Sequence, residues 1–363
     1  MNSSLTAARR QLDESAAPVV HAIPLESPGE WRAALEGIPH SFFHTWEHSY
    51  AMHLTHKQPA YLYCAESEGV RVVCPFIERP LGGYVDIATP YGFSGFAGNG
   101  PLAALPELWR SFATARGYIS VFLNLHPLFF RPDYADPATL FEQKELYIFD
   151  ATAGLETLFE NLARSRRRDL RKWETRTGLR TDRDELRSFV LEHYRQFYRW
   201  KNASAVYDFS SRTMEFLLQQ ENLLLLGAGA DSGVESVIVI AVTDYAAEGL
   251  FYFELPGTSR FSTALIWEAL AEVHRKGIPS LNLGGGLSRN DQLAQFKGLF
   301  GATPQMCYAV KQVLAPERYA ELCDRCGGNP DDRQGYFPAY RAPHTEVSAS
   351  TPASSSDHRT NAV

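Results

Sequence analysis

The sequence has 363 residues, 45% of them hydrophobic and 12% aromatic; this composition excludes an intrinsically disordered chain, and the length favours two domains. No apolar run reaches the roughly 18 residues of a membrane span, and the first residues are polar where a signal peptide would be apolar. Five cysteines, an odd number, argue against a disulfide framework. We therefore expect a cytoplasmic protein without a membrane span.

Both ends of the chain have the composition of disordered segments. Residues 1–20 are rich in Ser, Ala and charged residues, and residues 338–363 are rich in Ser, Thr, Pro and Ala. Between them we predict a first domain over 21–140 and a second over 150–326. The boundary is expected near 133–150, where prolines and polar residues interrupt the hydrophobic pattern.

The hydrophobic periods predict the same order of elements twice: two helices, three strands, a helix and a strand. In the first half these cover 31–36, 45–54, 60–66, 70–78, 84–88, 103–116 and 119–125. A long helix over 155–176, ended by Gly178, opens the second half. The repeated order then covers 185–201, 212–220, 222–228, 234–243, 249–254, 262–276 and 279–283, before a short helix over 291–300 and a strand over 306–314.

Matching strands of the two halves lie about 160 to 165 residues apart. The element order predicts an α/β (α+β) fold of two tandem domains, each a mixed sheet flanked by helices. One large mixed sheet is the alternative.

The charge is distributed unevenly along the chain. Residues 164–183 contain nine Arg or Lys residues and three acids, a local charge of +6, so the rest of the chain carries −13 of the total −7. Any polyanionic ligand should therefore bind at this stretch, and its candidate donor-binding residues are Arg167, Arg168, Arg171 and Lys172.

Four motifs support a family resemblance. They are Leu281-Asn-Leu-Gly-Gly-Gly286, Gln295-Phe-Lys-Gly-Leu-Phe-Gly301, the basic run Arg166-Arg-Arg-Asp-Leu-Arg-Lys172, and Asp86-Ile-Ala-Thr-Pro-Tyr-Gly92. The element order resembles the GNAT acyltransferase fold. Together with the motifs, it is similar to the Fem family of aminoacyl-tRNA-dependent ligases over most of residues 40–315.

The resemblance implies a reaction and two catalytic residues. Fem ligases use paired GNAT-like domains to move an amino acid from a charged tRNA onto an amine of a peptidoglycan precursor. Their Phe-Lys pair, which matches Phe296 and Lys297, lies at the tRNA terminus, and the lysine stabilises the transition state. A fixed ammonium would stabilise the negative charge of the oxyanion that forms when an amine attacks an ester. The alternative is that Lys297 is a solvated helix residue and Phe296 belongs to the core.

Two departures from these families bear on the substrates. Acetyl-CoA-using GNAT enzymes bind the pyrophosphate on a Gly-rich loop, whereas Ser259-Arg-Phe-Ser-Thr-Ala264 has Ser262 at the central glycine position. Residues 45–54 contain no lysine, although peptidoglycan ligases carry one there for the precursor's phosphates. These departures put acetyl-CoA and a cell-wall acceptor in doubt.

Other candidates have two interpretations each. Gly284, Gly285 and Gly286 could form a donor-binding anion nest or a tight strand exit. Asp208 and Glu254 could accept the proton of the attacking amine, or each could be a helix cap or a surface carboxylate.

The predicted function is thus an acyltransferase that forms an amide by direct transfer. The donor is an aminoacyl-tRNA, and the acceptor is an amine-bearing small molecule, peptide or cell-wall precursor. An acyl-CoA-dependent N-acyltransferase and a non-catalytic tRNA- or nucleotide-binding protein are the alternatives. We expect no cofactor. We also expect no structural metal, because the cysteines at 323 and 326 lack a second ligand pair.

Overall fold

The computed structural model describes residues 17–173, 178–202, 204, 207–230, 233–257, 259–286 and 291–342. Most of the predicted disordered ends lies outside these residues. Two exceptions correct the prediction. Val19 and Val20 already belong to the first strand, and Ala339 and Tyr340, just after the predicted start of the tail at 338, are buried.

Thirteen strands of the described chain form one mixed sheet. They are β1 (Val19–Pro24), β2 (Ala60–Ser67), β3 (Val70–Leu81), β4 (Tyr84–Ala88), β5 (Ala97–Gly98), β6 (Ser120–Asn124), β7 (Leu140–Asp150), β8 (Leu179–Arg180), β9 (Leu223–Ala228), β10 (Ser236–Val242), β11 (Ala247–Glu254), β12 (Ser280–Asn282) and β13 (Thr303–Val313). Apolar residues dominate β9 and β10 because helices cover both of their faces.

Ten α-helices of the described residues flank this sheet. They are α1 (Pro28–Leu35), α2 (Trp46–His56), α3 (Leu105–Ala115), α4 (Leu155–Asn161), α5 (Arg164–Trp173), α6 (Arg183–Trp200), α7 (Ser211–Gln219), α8 (Ser262–Arg275), α9 (Gln292–Gly298) and α10 (Pro316–Cys326). Local capping fixes several of the starts. The Asp182 carboxylate, for example, accepts the backbone N–H of Asp184 and Glu185 at the start of α6.

The strand order shows the internal repeat. It runs β1-β2-β3-β4-β6-β13-β7-β12-β11-β10-β9-β8, with β5 paired to β3. Each half has a run of antiparallel strands followed by one parallel pair, β4/β6 in the first half and β11/β12 in the second. β7, the last strand of the first half, pairs with β12 of the second half. β13, the last strand of the second half, pairs with β6 of the first half. Each half therefore contributes its last strand to the sheet of the other.

The predicted fold class is therefore confirmed, as a mixed sheet flanked by helices. The sheet is also continuous, as the alternative stated. The parallel pairs occupy equivalent positions. Ala88 pairs with Phe122, and Glu248 pairs with Asn282, 160 residues later in both strands.

Two predictions about the middle of the chain were wrong. Residues 140–150, expected near a boundary, form β7 at the centre of the sheet, where it pairs with β13 from Leu140 to Ile148 and with β12 from Ile148 to Asp150. The helix predicted over 155–176 is two helices in its described part, 155–173, because the Ala163 N–H bonds Leu299 O at 2.9 Å instead of continuing α4. Its predicted end, 174–176, lies outside the described residues. This break brings the basic helix α5 beside the segment that contains Phe296. Strands β1, β5 and β8 and helix α10 were not predicted either.

The two faces of the sheet carry different helices. One core cluster joins Leu281 and Ala247 to residues of α4, α5, α8 and α9. Another, on the opposite face, joins Phe251 and Phe253 to residues of α2, α6 and α7. Side chains alternate along a strand, so Glu248 and Asn282 point away from the first cluster.

Candidate transfer site

The parallel pair β11/β12 opens after two residue pairs. Leu250 is a bulge, because the register with β10 shifts between Val239 and Ile240. The chain after β12 turns towards β7, where the Leu283 N–H donates to Tyr147 O at 2.9 Å and the Tyr147 N–H donates to Gly284 O at 3.1 Å. β11 and the glycine-rich turn therefore diverge next to a bulge, and bulges are over-represented beside active sites.

The three glycines of this turn are required for close packing. Gly284 has φ +72°, and a Cβ on Gly285 would lie 2.5 Å from Glu145 O. A Cβ on Gly286 would lie 2.4 Å from Asp291 Oδ1. The Gly284 N–H donates to Asn282 Oδ1 at 2.8 Å, so this amide is already paired. Donor binding by the glycines remains a prediction.

Lys297 projects from α9 onto the same turn. The helix begins at Asp291, whose carboxylate accepts the Ala294 N–H at 2.8 Å. The Lys297 Nζ donates to Gly285 O at 2.7 Å, and the residue is 9% exposed. Burial lowers the pKa of Lys297 from 10.5 to about 8; nearby Lys144 also lowers it, and Asp291 opposes both.

At neutral pH, then, Lys297 carries a mostly charged, largely desolvated ammonium. Within the described residues Gly285 is its one acceptor, so two of its three N–H bonds are left for a ligand oxygen. An ammonium held this way can stabilise an oxyanion more strongly than a solvated lysine can.

A buried polar chain supports the turn from behind. The Asn282 Nδ2 donates to Glu248 Oε2 at 2.9 Å. His126, which follows β6 of the first half, lies 2.8 Å from Glu248 Oε1 through its Nε2. All three residues are 2% exposed or less.

Helix α5 separates its basic residues into an outward and an inward set. Arg168, Arg171 and Lys172 are exposed, and the Arg167 guanidinium donates to Glu160 O at 3.3 Å. Leu170 is buried and anchors the helix. The outward set thus presents positive charge to solvent.

Arg166 is the inward arginine of this helix. Its guanidinium carbon lies 4.7 Å from the centre of the Phe296 ring and 5.4 Å from that of Phe300. Its Nη1 donates to Thr263 Oγ1 at 2.9 Å, on the first turn of α8. Arg166 therefore joins the basic helix to the element that carries Lys297.

The other predicted proton acceptors lie elsewhere. Glu254 ends β11 six residues after Glu248, about 20 Å along a strand, and binds Lys201 at 2.9 Å. Asp208 lines a cleft of about 390 Å³ with side chains of α6 and the loop after it. The lining residues are Tyr194, Arg195, Tyr198, Arg199, Asn202, Ser204 and Asp208. Proton transfer by Asp208 or Glu254 remains a prediction.

The structure thus brings Lys297, Phe296 and the glycines together, with the basic helix attached through Arg166. Sequence reasoning missed His126, Glu248 and Asn282. Asn282 stood inside the quoted glycine motif without a role. Glu248 is an acid in an apolar strand, a signal that could have been noted. Nothing in the sequence linked His126 to them.

No protein-family model and no curated protein sequence matches this chain. Solved structures do share its fold. FemX superimposes with a TM-score of 0.63 at 10% identity, covering 84% of this chain and 99% of FemX. A conserved protein of unknown function from Bacteroides thetaiotaomicron has a TM-score of 0.55 at 10% identity, covering 81% and 99%.

Weaker likenesses include a tandem GNAT protein from the clavulanic acid biosynthesis pathway. Its TM-score is 0.43 at 10% identity, covering 82% of this chain and 99% of that one. At such identities a shared fold is the conclusion, and this chain has the fold of FemX. Within the described residues, no helix combines the length and apolar character needed to cross a membrane.

Proposed function

We propose that this chain is an aminoacyltransferase that moves an aminoacyl group from a charged tRNA onto an amine of a small molecule, peptide or cell-wall precursor. The observation that carries the proposal is Lys297, a buried ammonium held on Gly285 O at 2.7 Å where two parallel strands separate. Its neighbour Phe296 contacts the basic helix through Arg166.

The basic helix supports tRNA as the donor. Arg168, Arg171 and Lys172 are exposed on a helix that packs against the Lys297 element. Phosphate contacts from such residues would hold an acceptor stem with its terminal ester near α9.

The first turn of α8 argues against acyl-CoA. GNAT enzymes that use acetyl-CoA bind the pyrophosphate there through backbone N–H groups. In this chain the Thr263 hydroxyl is engaged by Arg166 and Ser262 stands where a glycine is usual, so close approach of a pyrophosphate is hindered.

The proposed step is a direct transfer. The neutral amine nitrogen bonds to the ester carbonyl carbon, and the carbonyl oxygen takes the negative charge. Lys297 donates hydrogen bonds to that oxyanion. The intermediate then collapses with cleavage of the bond to the ribose oxygen. The ribose hydroxyl gains the proton that the amine loses, and an amide is released.

The deciding experiment offers the native protein two donors with a panel of primary amines and short peptides. We expect radiolabel from aminoacyl-tRNA to appear in amides that survive mild base, which hydrolyses the ester. Transfer from acyl-CoA, with no binding of any charged tRNA, would replace this proposal by the acyl-CoA-dependent alternative.

The salt dependence of tRNA binding tests the basic helix separately. Each lost phosphate contact should reduce the slope of log K against log salt by about 0.9, so R167A/R168A/R171A should flatten it by up to about 3. The matched control removes three arginines elsewhere, R32A/R110A/R318A, with the same change in net charge. Equal slopes for the two triple variants would move the donor site away from α5.

A further inference from the structure

The buried chain of His126, Glu248 and Asn282 has a fixed direction of hydrogen bonding. The Leu128 N–H donates to His126 Nδ1 at 3.2 Å. That lone pair is therefore occupied, and the His126 proton lies on Nε2, which donates to Glu248. His126 cannot act as a general base in this arrangement.

The other end of this hydrogen-bonded series of side chains leads to the same carboxylate. The Gly284 N–H donates to Asn282 Oδ1, and Asn282 Nδ2 donates to Glu248 Oε2. Two backbone amides, one in each half, thus reach one buried group through two side chains. An ionised carboxylate satisfies both ends because it only accepts hydrogen bonds.

These three side chains reach the transfer site only through the Gly284-Gly285 turn. They are buried to 2% exposure or less, so they do not contact a substrate. Gly284 precedes Gly285, whose carbonyl holds the Lys297 ammonium. The orientation of that carbonyl depends on the backbone that Asn282 fixes.

We propose that His126, Glu248 and Asn282 are positioning residues that hold the Gly284-Gly285 turn in a fixed position relative to the loop after β6. Through this turn they also position Lys297. The catalytic consequence rests on the proposed role of Lys297. The positioning itself concerns the turn and is measurable without any donor.

Glu248→Gln tests the direction of the bonds with almost no change of shape. The introduced amide must face either the His126 or the Asn282 donor. In each case one backbone N–H end loses its acceptor, since Asn282 can accept from the introduced amide only by turning its own donor towards Gly284. We expect hydrogen exchange to accelerate about tenfold or more at whichever of the two backbone amides, Gly284 or Leu128, loses its acceptor.

A second substitution restores the direction. In E248Q/N282D, the carboxylate at position 282 accepts from both the Gly284 N–H and the introduced amide, whose carbonyl oxygen accepts from His126. We expect the pair to return exchange of the affected amide to within about threefold of native, while N282D alone, with two adjacent carboxylates, also exchanges faster at Gly284.

Each outcome is decisive. If the double variant recovers both the exchange rate and the melting temperature, the result supports the positioning role even if E248Q alone folds poorly. Losses that merely add in the double variant, or native exchange at both Gly284 and Leu128 in E248Q, overturn the proposal. If a donor is established, E248Q should lower kcat about tenfold with KM within twofold. Failure of tRNA-dependent transfer leaves the exchange result standing, so the two proposals fail separately.

Discussion

Each half of the sheet has a buried carboxylate beside its parallel strand pair, and the two carboxylates have different partners. In the first half, Asp86 binds Arg79 Nε and Arg341 Nε, each at 2.6 Å, and the Tyr340 hydroxyl at 2.9 Å. In the second half, Glu248 binds the neutral groups of His126 and Asn282.

The strand positions reinforce this contrast. Ala88 and Phe122, an apolar pair, stand where the second half has Glu248 and Asn282. In the first half the charge is neutralised by two guanidinium groups and closes the C-terminal segment onto the sheet. In the second half the negative charge has neutral partners, and its hydrogen bonds run towards a turn that holds a cation. The first-half carboxylate therefore serves the fold, whereas the second-half carboxylate adjoins the proposed transfer site.

Removal of the Asp86 carboxylate should have the largest effect on stability. Asp86→Ala leaves Arg79 and Arg341 without their partner, and breaking a buried ion pair from one side costs about 3 to 5 kcal/mol of unfolding free energy. Urea unfolding measures this. The matched control is Asp136→Ala, which breaks the exposed pair with Arg110 at 3.0 Å and should cost under about 1 kcal/mol. Equal losses in the two variants would contradict a structural role for the first-half carboxylate.

Lys297→Met should show the opposite behaviour, with activity lost and stability kept. We expect single-turnover transfer to fall about 100- to 1000-fold at saturating donor, which corresponds to roughly 3 to 4 kcal/mol of transition-state stabilisation. The unfolding free energy should stay or rise, because burial of this charge is unfavourable.

The control for this variant is Lys276→Met, which removes an exposed lysine at the end of α8. A Lys297→Met protein that melts normally and transfers within about threefold of native would show that this lysine only packs the turn.

The pH dependence separates the two contributions of Lys297. Its pKa is lowered from 10.5 to about 8, so between these values the unfolded chain binds the proton and the folded chain does not. Folding stability from this residue therefore rises from pH 8 to 10.5. The oxyanion contribution needs the charged form and should fall over the same range. The native-to-Lys297→Met ratio of transfer rates should drop up to about tenfold per pH unit above about pH 8. A flat ratio would contradict it.

The sequence predicted most helices and strands because their apolar periods were regular. Strand β7 was missed because Glu142 to Glu145 are polar residues that interrupt the apolar pattern, and its pairing with β13 is set by distant residues. The split between α4 and α5 was missed for the same reason, since the Ala163 amide bonds a carbonyl far along the chain.

The candidate site was predicted as a set of motifs but not as a geometry. Lys297 and the glycines adjoin one another because α9 returns to the end of β12, where Lys297 Nζ bonds Gly285 O. The role of His126 could not be predicted, because it depends on the parallel pairing that aligns Glu248 with Asn282.

The smallest predicted effect concerns Arg166, which repeats the same contrast between the halves. Arg79 is paired with a carboxylate at close range, whereas Arg166 donates to the Thr263 hydroxyl and stacks on aromatic rings, with the Asp169 carboxylate 3.6 Å away.

Thr263→Val keeps the shape of the side chain and deletes the hydroxyl that accepts the hydrogen bond from Arg166. A hydrogen bond to a charged group contributes about 1.5 to 3 kcal/mol, and partial compensation by Asp169 should bring the loss to about 1 to 2 kcal/mol. Urea unfolding tests this against Thr114→Val on the exposed face of α3, which should stay within about 0.5 kcal/mol of native. Because Arg166 covers the Phe296 ring, transfer should also slow severalfold in Thr263→Val, and native rates together with native stability would show that Arg166 does not orient the Phe296–Lys297 element.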